Sequence, residues 1–256
     1  MTLEDLNNFK IDENLSRALK ELQVTLNRIT ASIETSRINI DLSIDKIKNG
    51  MENQLKVVKK ISKYGFLIPN NIDKKTQAEI FNYRDKLELE NIYLKFFKKN
   101  NQKELRCLKS NFYNSSKLNR FRKIYGQAYF NFNHKNYYTA CILLTAILEG
   151  LIRKYSNITK KEKNVSTYLD RILDNKYKNK YTLLFQDKTG IREFMHNYYK
   201  SVNAADINET NYFNRNVLMH GLEFNRYKEV DAIKLFNVID ILNNLLIIDV
   251  YEAKNE

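Results

Sequence analysis

The sequence contains very few residues that break helices, with 6 Gly and 1 Pro among its 256 residues. These two residue types are the least compatible with a helix interior, so their scarcity predicts long helices joined by short connections. No stretch alternates between apolar and polar residues over several strand lengths, and a sheet protein would ordinarily need more glycine at its turns. The composition therefore predicts an all-α protein.

Cysteine and histidine are also scarce, which limits the available chemistry. Two cysteines cannot build a disulfide framework, and three widely separated histidines cannot form a zinc site within one chain. We therefore predict no cofactor and no metal ion. Two of the histidines are expected to be structural, His134 in a turn and His196 on a helix surface.

Long uninterrupted apolar segments are missing as well. The N-terminus has no apolar signal core, and the most apolar segment, residues 239–250, contains two aspartates and two asparagines. The sequence therefore predicts a cytoplasmic protein that does not enter a membrane.

Charge, in contrast, is abundant and unbalanced. The chain has 43 basic and 30 acidic residues, which gives a formal net charge of +13. A basic surface attracts nucleic-acid backbones through long-range fields that salt screens. Lys, Asn, Ile and Tyr are all frequent, however, as an AT-rich genome would produce, so the charge alone leaves nucleic-acid binding open.

The N-terminal segment, residues 13–63, has the pattern of one long helix. Its apolar residues recur in alternating steps of four and three, at Leu15, Leu19, Leu22, Leu26, Ile29 and Ile33. This spacing is typical of a coiled-coil seam rather than of a broad globular face. A helix that dimerises or binds a partner, a helix packed on its own domain, and a hairpin folded near residues 32–39 all fit the pattern.

Residues 63–71, which contain the only proline, form the clearest interruption of the chain. We therefore predict three regions: a long helix or helical hairpin over residues 1–64, a linker and charged helical region over residues 65–114, and a helical bundle over residues 115–256. Within the second region, residues 98–103 are predicted to form a turn.

Two helices dominate the predicted bundle. The helix near residues 137–155 is apolar almost all round, which is typical of a helix buried on most faces. The last helix, near residues 230–252, is predicted to have one core face, formed by Ile233, Phe236, Ile239, Ile241, Leu242, Leu245 and Leu246.

A short run in the bundle combines residue types suited to phosphodiester chemistry, Arg215-Asn216-Val217-Leu218-Met219-His220-Gly221. Histidine moves protons near neutral pH, and arginine stabilises phosphoryl charge through bidentate hydrogen bonds. Arg215 and His220 are about 140° apart on an ideal helix, so Arg215 must reach around the helix or act with a second subunit. Capping side chains predict that this helix starts near Asn208 or Thr210.

Glu149 is an acidic residue in the otherwise apolar helix at residues 137–155. Two interpretations are open, because buried charges are rare without a partner. The carboxylate either orients Arg215 or His220, or it pairs with Arg153 one helical turn later.

The bundle resembles HEPN domains, which are helical and carry an arginine, a polar residue such as asparagine, and a histidine a few residues later. Arg215, Asn216 and His220 match this pattern, and the resemblance covers about residues 118–254. The ending His220-Gly221 is similar to the abortive-infection and phage-defence branch of the family. The form Arg…His-x-Tyr, found in toxins paired with nucleotidyltransferase antitoxins, is absent, which puts such a partner in doubt.

The resemblance implies a metal-independent endoribonuclease of a toxin or antiviral-defence type, in which two copies of the motif meet across a homodimer. The hypothesis is cleavage of RNA through its own 2′-OH. His220 would be the general acid or base, Arg215 would bind the phosphate, and Asn216 and Glu149 would position them. An antidote or regulatory partner is compatible with this role.

The alternative belongs to another class of protein. A non-catalytic helical scaffold would bind RNA or a protein partner and would assemble through the N-terminal coiled coil. Arg215 and His220 would then have structural roles.

Overall fold

The computed structural model describes residues 3–155, 182–208 and 212–252, and all regular structure in these ranges is helical. The prediction of an all-α protein is confirmed. None of the described helices combines the length and the apolar character needed to cross a bilayer. The α-helices are α1 (Leu3–Lys63), α2 (Lys74–Phe81), α3 (Lys86–Asn114), α4 (Arg122–Asn133), α5 (Tyr137–Tyr155), α6 (Thr182–Tyr199), α7 (Arg215–Met219) and α8 (Glu229–Glu252).

The chain divides into two compact units, residues 1–53 and 54–256. α1 is a single helix of 61 residues, so the alternative of a hairpin near residues 32–39 is wrong. The first 49 residues contain neither glycine nor proline, which explains why no break occurs there. In the first unit, the apolar side chains of Leu22, Leu26, Ile29 and Ile33 are each more than half exposed.

The second unit includes the region predicted as a linker. α1 ends at Lys63, Gly65 takes a φ of +84°, and the side chains of Phe66 and Leu67 then enter the core. Residues 65–114 are rich in charge, so the sequence analysis missed an apolar stripe on α3. This stripe packs into the same core cluster as α5 and α8. The compact unit therefore begins at Gln54 rather than at residue 115. The stripe consists of Leu89, Tyr93, Phe96, Phe97, Leu105, Leu108 and Phe112.

α3 is interrupted within the turn predicted at residues 98–103. Asn100, Asn101 and Gln102 take φ angles of 50°, 55° and 59°, in the left-handed region of the backbone. Asparagine tolerates this region better than most residues with a side chain, so two successive asparagines allow the break without glycine. The predicted turn is confirmed.

The part of α8 from Val230 to Asn243 is enclosed on every face rather than on one. All side chains from Val230 to Asn243 are buried, and both α3 and α5 pack against the helix. Five of the seven predicted core residues of this helix are buried, as expected. The side chains of Leu245 and Leu246 lie outside the described ones. The prediction of a single core face was too narrow, because the polar side chains of α8 also find partners inside the protein.

Buried polar residues recur at every third position of α8. We call these residues the polar row; they are Asp231, Lys234, Asn237, Asp240 and Asn243. Three residues fall about 60° short of a full helical turn, so the row winds gradually around α8 and meets different segments along its length.

The C-terminal end of the polar row forms hydrogen bonds to α3, to the residue that follows α3, and to the segment between α1 and α2. Asp240 accepts hydrogen bonds from the side-chain amides of Asn70 and Asn111, both at 2.9 Å. Burial raises the pKa of Asp240, and these two hydrogen bonds act in the opposite direction. Ser115 donates its hydroxyl to Asn243 at 2.7 Å.

The near end of the row is a fully buried ion pair, in which Lys234 Nζ lies 2.9 Å from Asp231 Oδ1. Lys234 Nζ also lies 4.2 Å and 4.6 Å from the ring centroids of Phe66 and Phe213, close enough for cation–π attraction. Asp231 accepts a hydrogen bond from the hydroxyl of Tyr212 at 3.2 Å. The pair thus joins α8 to the segment after α1 and to the segment before α7.

Removal of the negative partner should test this pair. We expect Asp231→Asn to lower the free energy of unfolding by about 3–5 kcal/mol, because it leaves the Lys234 charge buried without compensation. The matched control is Glu229→Gln, two positions before Asp231. It breaks the ion pair of Glu229 with Lys98 at the surface and should cost at most about 1 kcal/mol. Urea unfolding measures both; equal losses would contradict the role given to Asp231.

Candidate functional site

α7, which begins at Arg215, has only five residues. Its N-cap is Asn214, whose side-chain Oδ1 accepts the backbone N–H of Asn216 at 2.8 Å. The predicted start near Asn208 or Thr210 is wrong: Asn208 bonds locally to the carbonyl of Asp206, and Thr210 lies outside the described residues. Arg215 is therefore the first residue of the helix rather than an interior one.

The side chain of Asn214 is held in its capping position by hydrogen bonds to the end of α6. Its buried amide donates to the carbonyls of Asn197 and Lys200, at 3.0 Å and 2.8 Å. At the other end of α7, Tyr138 donates its hydroxyl to the carbonyl of Leu218 at 2.9 Å. Hydrogen bonds from α5 and to α6 thus fix the position of this short helix.

Arg215 and Glu149 form an ion pair between α7 and α5. The Nε of Arg215 donates to Oε1 of Glu149 at 2.7 Å, and its Nη1 donates to Oδ1 of Asn216 at 3.1 Å. The side chains of Arg215 and Glu149 are 30% and 18% exposed. Of the two interpretations of Glu149, the structure shows the one in which the carboxylate contacts Arg215. Within the described residues it shows no ion pair with Arg153.

The guanidinium of Arg215 keeps one nitrogen available. Nε and Nη1 are held by Glu149 and Asn216, while Nη2 makes no hydrogen bond to any residue that the structure describes. A planar group that is held on one edge and partly exposed on another has an orientation suited to binding an anion.

His220 is exposed and forms the C-cap of α7, where its backbone N–H donates to the carbonyl of Asn216 at 3.1 Å. Gly221 follows with a φ of +66° and ends the helix. No hydrogen bond between described residues joins the His220 imidazole to Arg215, Asn216 or Glu149. Hydrogen bonds therefore join three of the four predicted residues, and among the described residues none joins the His220 imidazole to them.

Two tyrosines at the end of α6 lie near the ion pair and were missed by the sequence analysis. The hydroxyls of Tyr198 and Thr145 share a buried hydrogen bond of 2.6 Å. The hydroxyl of Tyr199 is buried and has no hydrogen-bond partner among the described residues. No local pattern distinguishes these residues from the other tyrosines, which number 17 in the chain.

The environment of Tyr199 keeps its hydroxyl protonated. Burial raises the pKa of Tyr199 well above its usual value, and the charge of Glu149 raises it further, while Arg215 and Arg153 act in the opposite direction. A neutral hydroxyl next to the Arg215–Glu149 pair therefore has a proton to donate at any physiological pH.

The chain was also compared with known proteins. No family model matches it, no curated protein matches it, and no solved structure matches it. The resemblance to HEPN domains consequently stays a prediction that depends on the residues of the motif.

The two tyrosines should respond differently to loss of the hydroxyl. We expect Tyr198→Phe to lower the free energy of unfolding by about 1 kcal/mol, because it removes the bond to Thr145. Tyr199→Phe should be neutral or slightly stabilising, because it removes a buried hydroxyl without a partner. Chemical denaturation of both variants gives the comparison. If Tyr199→Phe destabilised the protein as much as Tyr198→Phe, the hydroxyl would have a partner.

Proposed function

We propose that this protein is a metal-independent endoribonuclease of the HEPN type, with Arg215 as the phosphate-binding residue and His220 as the residue that transfers protons. The observation that carries the proposal is the guanidinium of Arg215, which Glu149 and Asn216 hold while Nη2 makes no hydrogen bond to the part of the chain that the structure describes. An exposed histidine ends the same short helix.

The contacts of Arg215 support a role in binding charge that develops during a reaction. A guanidinium that is already oriented loses little side-chain freedom when it binds phosphate, and it needs no rearrangement as negative charge grows on the phosphoryl oxygens. The net charge of +13 favours approach of an RNA backbone.

The proposed reaction uses the substrate's own nucleophile. The 2′-oxygen attacks the adjacent phosphorus, a new 2′-O–P bond forms, and the P–O5′ bond breaks. The proton of the 2′-OH passes to a base, and the departing 5′-oxygen receives a proton from an acid. The products are a 2′,3′-cyclic phosphate and a 5′-OH, and no metal ion is required for the balance.

Two proton transfers favour two imidazoles, and each chain contributes one at this motif. In the proposal, two copies of α7 meet across a homodimer, so that one His220 is the base and the other is the acid. The wide angular separation of Arg215 and His220 on α7 is compatible with a phosphate that is bound by one chain and reacts beside the imidazole of the other. A toxin or antiviral-defence role, with an antidote or regulatory partner, belongs to the same proposal.

A second candidate is a non-catalytic helical scaffold that binds RNA or a protein. One observation favours it: Arg215 already has an internal partner in Glu149, which would be sufficient for a purely structural ion pair. In this candidate the apolar side chains of α1 would provide the assembly surface.

Cleavage of total RNA by the purified protein in the presence of EDTA tests the proposal. We expect Arg215→Ala and His220→Ala each to reduce cleavage by about 100-fold or more, because each removes a group that acts in the transition state. Glu149→Gln should cause a smaller loss, because the neutral amide keeps the shape but holds Arg215 less strongly. The matched control is His196→Ala, which removes another exposed histidine and should leave the rate unchanged.

The ends of the RNA fragments provide a second readout, since the proposed reaction leaves cyclic phosphates. Folded Arg215 and His220 variants that cleave as fast as the parent would rule out the assigned roles. A parent protein that binds RNA without cleaving it would favour the scaffold.

A further inference from the structure

A row of exposed apolar side chains on α1 is the largest feature that the proposed cleavage does not use. We call these residues the seam; they are Leu22, Leu26, Ile29 and Ile33, each more than half exposed. Their steps of four, three and four residues place them on one line of the helix, as the a and d positions of a heptad require. Apolar side chains exposed next to one another often mark an interaction site, whereas singly scattered ones do not.

The residues beside the seam are suited to burial. The flanking heptad positions carry Gln23, Thr25, Thr30 and Ser32, none of which is charged. The hydroxyls of Thr25 and Thr30 donate to carbonyls of their own helix, each at 2.9 Å. A helix that packs against the seam would therefore cover these two hydroxyls without breaking a hydrogen bond to water.

The charged residues of the same segment lie at the other positions of the heptad, away from the seam. They are Arg17, Lys20, Glu21, Arg28 and Glu34. A chain with a net charge of +13 repels its own copies in general. The uncharged flanks of the seam add no like-charge contact at the surface where two copies of α1 would approach closely.

The heptad spacing identifies the kind of partner. Knobs-into-holes packing requires a second helix with apolar side chains at the same seven-residue repeat. The other exposed large apolar residues that the structure describes do not recur in steps of four and three. They are Val24, on the opposite side of α1, and Leu87, Ile124, Phe130, Met219, Leu222 and Phe224. Another copy of α1 has the required repeat by identity.

We propose that the seam of α1 docks against the seam of a second copy of this chain and forms a coiled-coil homodimer. The inference goes beyond the proposed function, since it depends on α1 alone. The homodimer of the proposed function forms at α7, so cross-linking of α1 itself and RNA cleavage distinguish failure of one proposal from failure of the other.

Sedimentation equilibrium of the full chain over a range of concentrations tests the proposal. We expect the parent to approach about twice the chain mass of 30.5 kDa, and Leu26→Asp to raise the dissociation constant by about 100-fold, because a charge would face an apolar layer. The matched control is Val24→Asp, whose parent residue is 50% exposed against 51% for Leu26. Val24 lies about 200° from Leu22 on the helix, so its variant should dimerise like the parent.

Cross-linking separates loss of docking from unfolding of α1. Ile29→Cys and Val24→Cys place a thiol on the seam and on the opposite side of the same helix, and Cys107 and Cys141 give both proteins the same background. With a short bismaleimide reagent, we expect covalent dimers from Ile29→Cys well above that background and from Val24→Cys at background only.

Four outcomes would overturn the inference. They are a parent that is monomeric at about 100 µM chain, which puts any dissociation constant above that concentration, an unchanged dissociation constant for Leu26→Asp, equal dissociation of Val24→Asp and Leu26→Asp, and equal cross-linking of the two cysteine variants.

Discussion

The buried ion pair of Asp231 and Lys234 is the constraint on which the second unit depends. Burial of two charges costs several kcal/mol per ion, so the pair is stable only where its geometry and its remaining hydrogen bonds are good. Tyr212 donates a hydrogen bond to the carboxylate, while the rings of Phe66 and Phe213 lie against the ammonium group. The approach is close: a Cβ atom at Gly65 would lie 2.5 Å from the Phe213 ring. Three segments that are distant in sequence must therefore meet at one point of α8.

The contacts around the Asp231–Lys234 pair also fix the position of the candidate site. Tyr212 and Phe213 directly precede Asn214, and Asn214 both caps α7 and bonds to the end of α6. The orientation of Arg215 thus follows from contacts that begin in the core, and Glu149 completes it from α5. If Arg215 binds a phosphate, as proposed, its readiness to do so comes from the packing of α8 as much as from its own neighbours.

Local patterns predicted well what depends on local interactions. The scarcity of glycine and proline predicted the all-α fold, and the two asparagines marked the break in α3. The types of Arg215, Asn216 and Glu149 suggested a cluster, but the sequence could not decide between Arg215 and Arg153 as the partner of Glu149, since the first is 66 residues away. The start of α7 was missed because the cap at Asn214 depends on carbonyls of α6. The enclosure of residues 230–243 of α8 was missed because polar residues indicate a solvated face unless distant partners are known.

The polar row also has a consequence for the order in which the protein matures during synthesis. Its partners Asn70 and Leu67 lie 170 residues before Asp240 and Asn237, and all the other partners precede α8 as well. The segments that bond to the polar row are therefore all synthesised before α8, which packs between them. Until α8 emerges, the apolar surfaces of α3 and α5 that pack against it have no cover, and such transiently exposed surface favours aggregation. A polypeptide that stops before residue 229 would retain most of the helices and lose the element that holds them together.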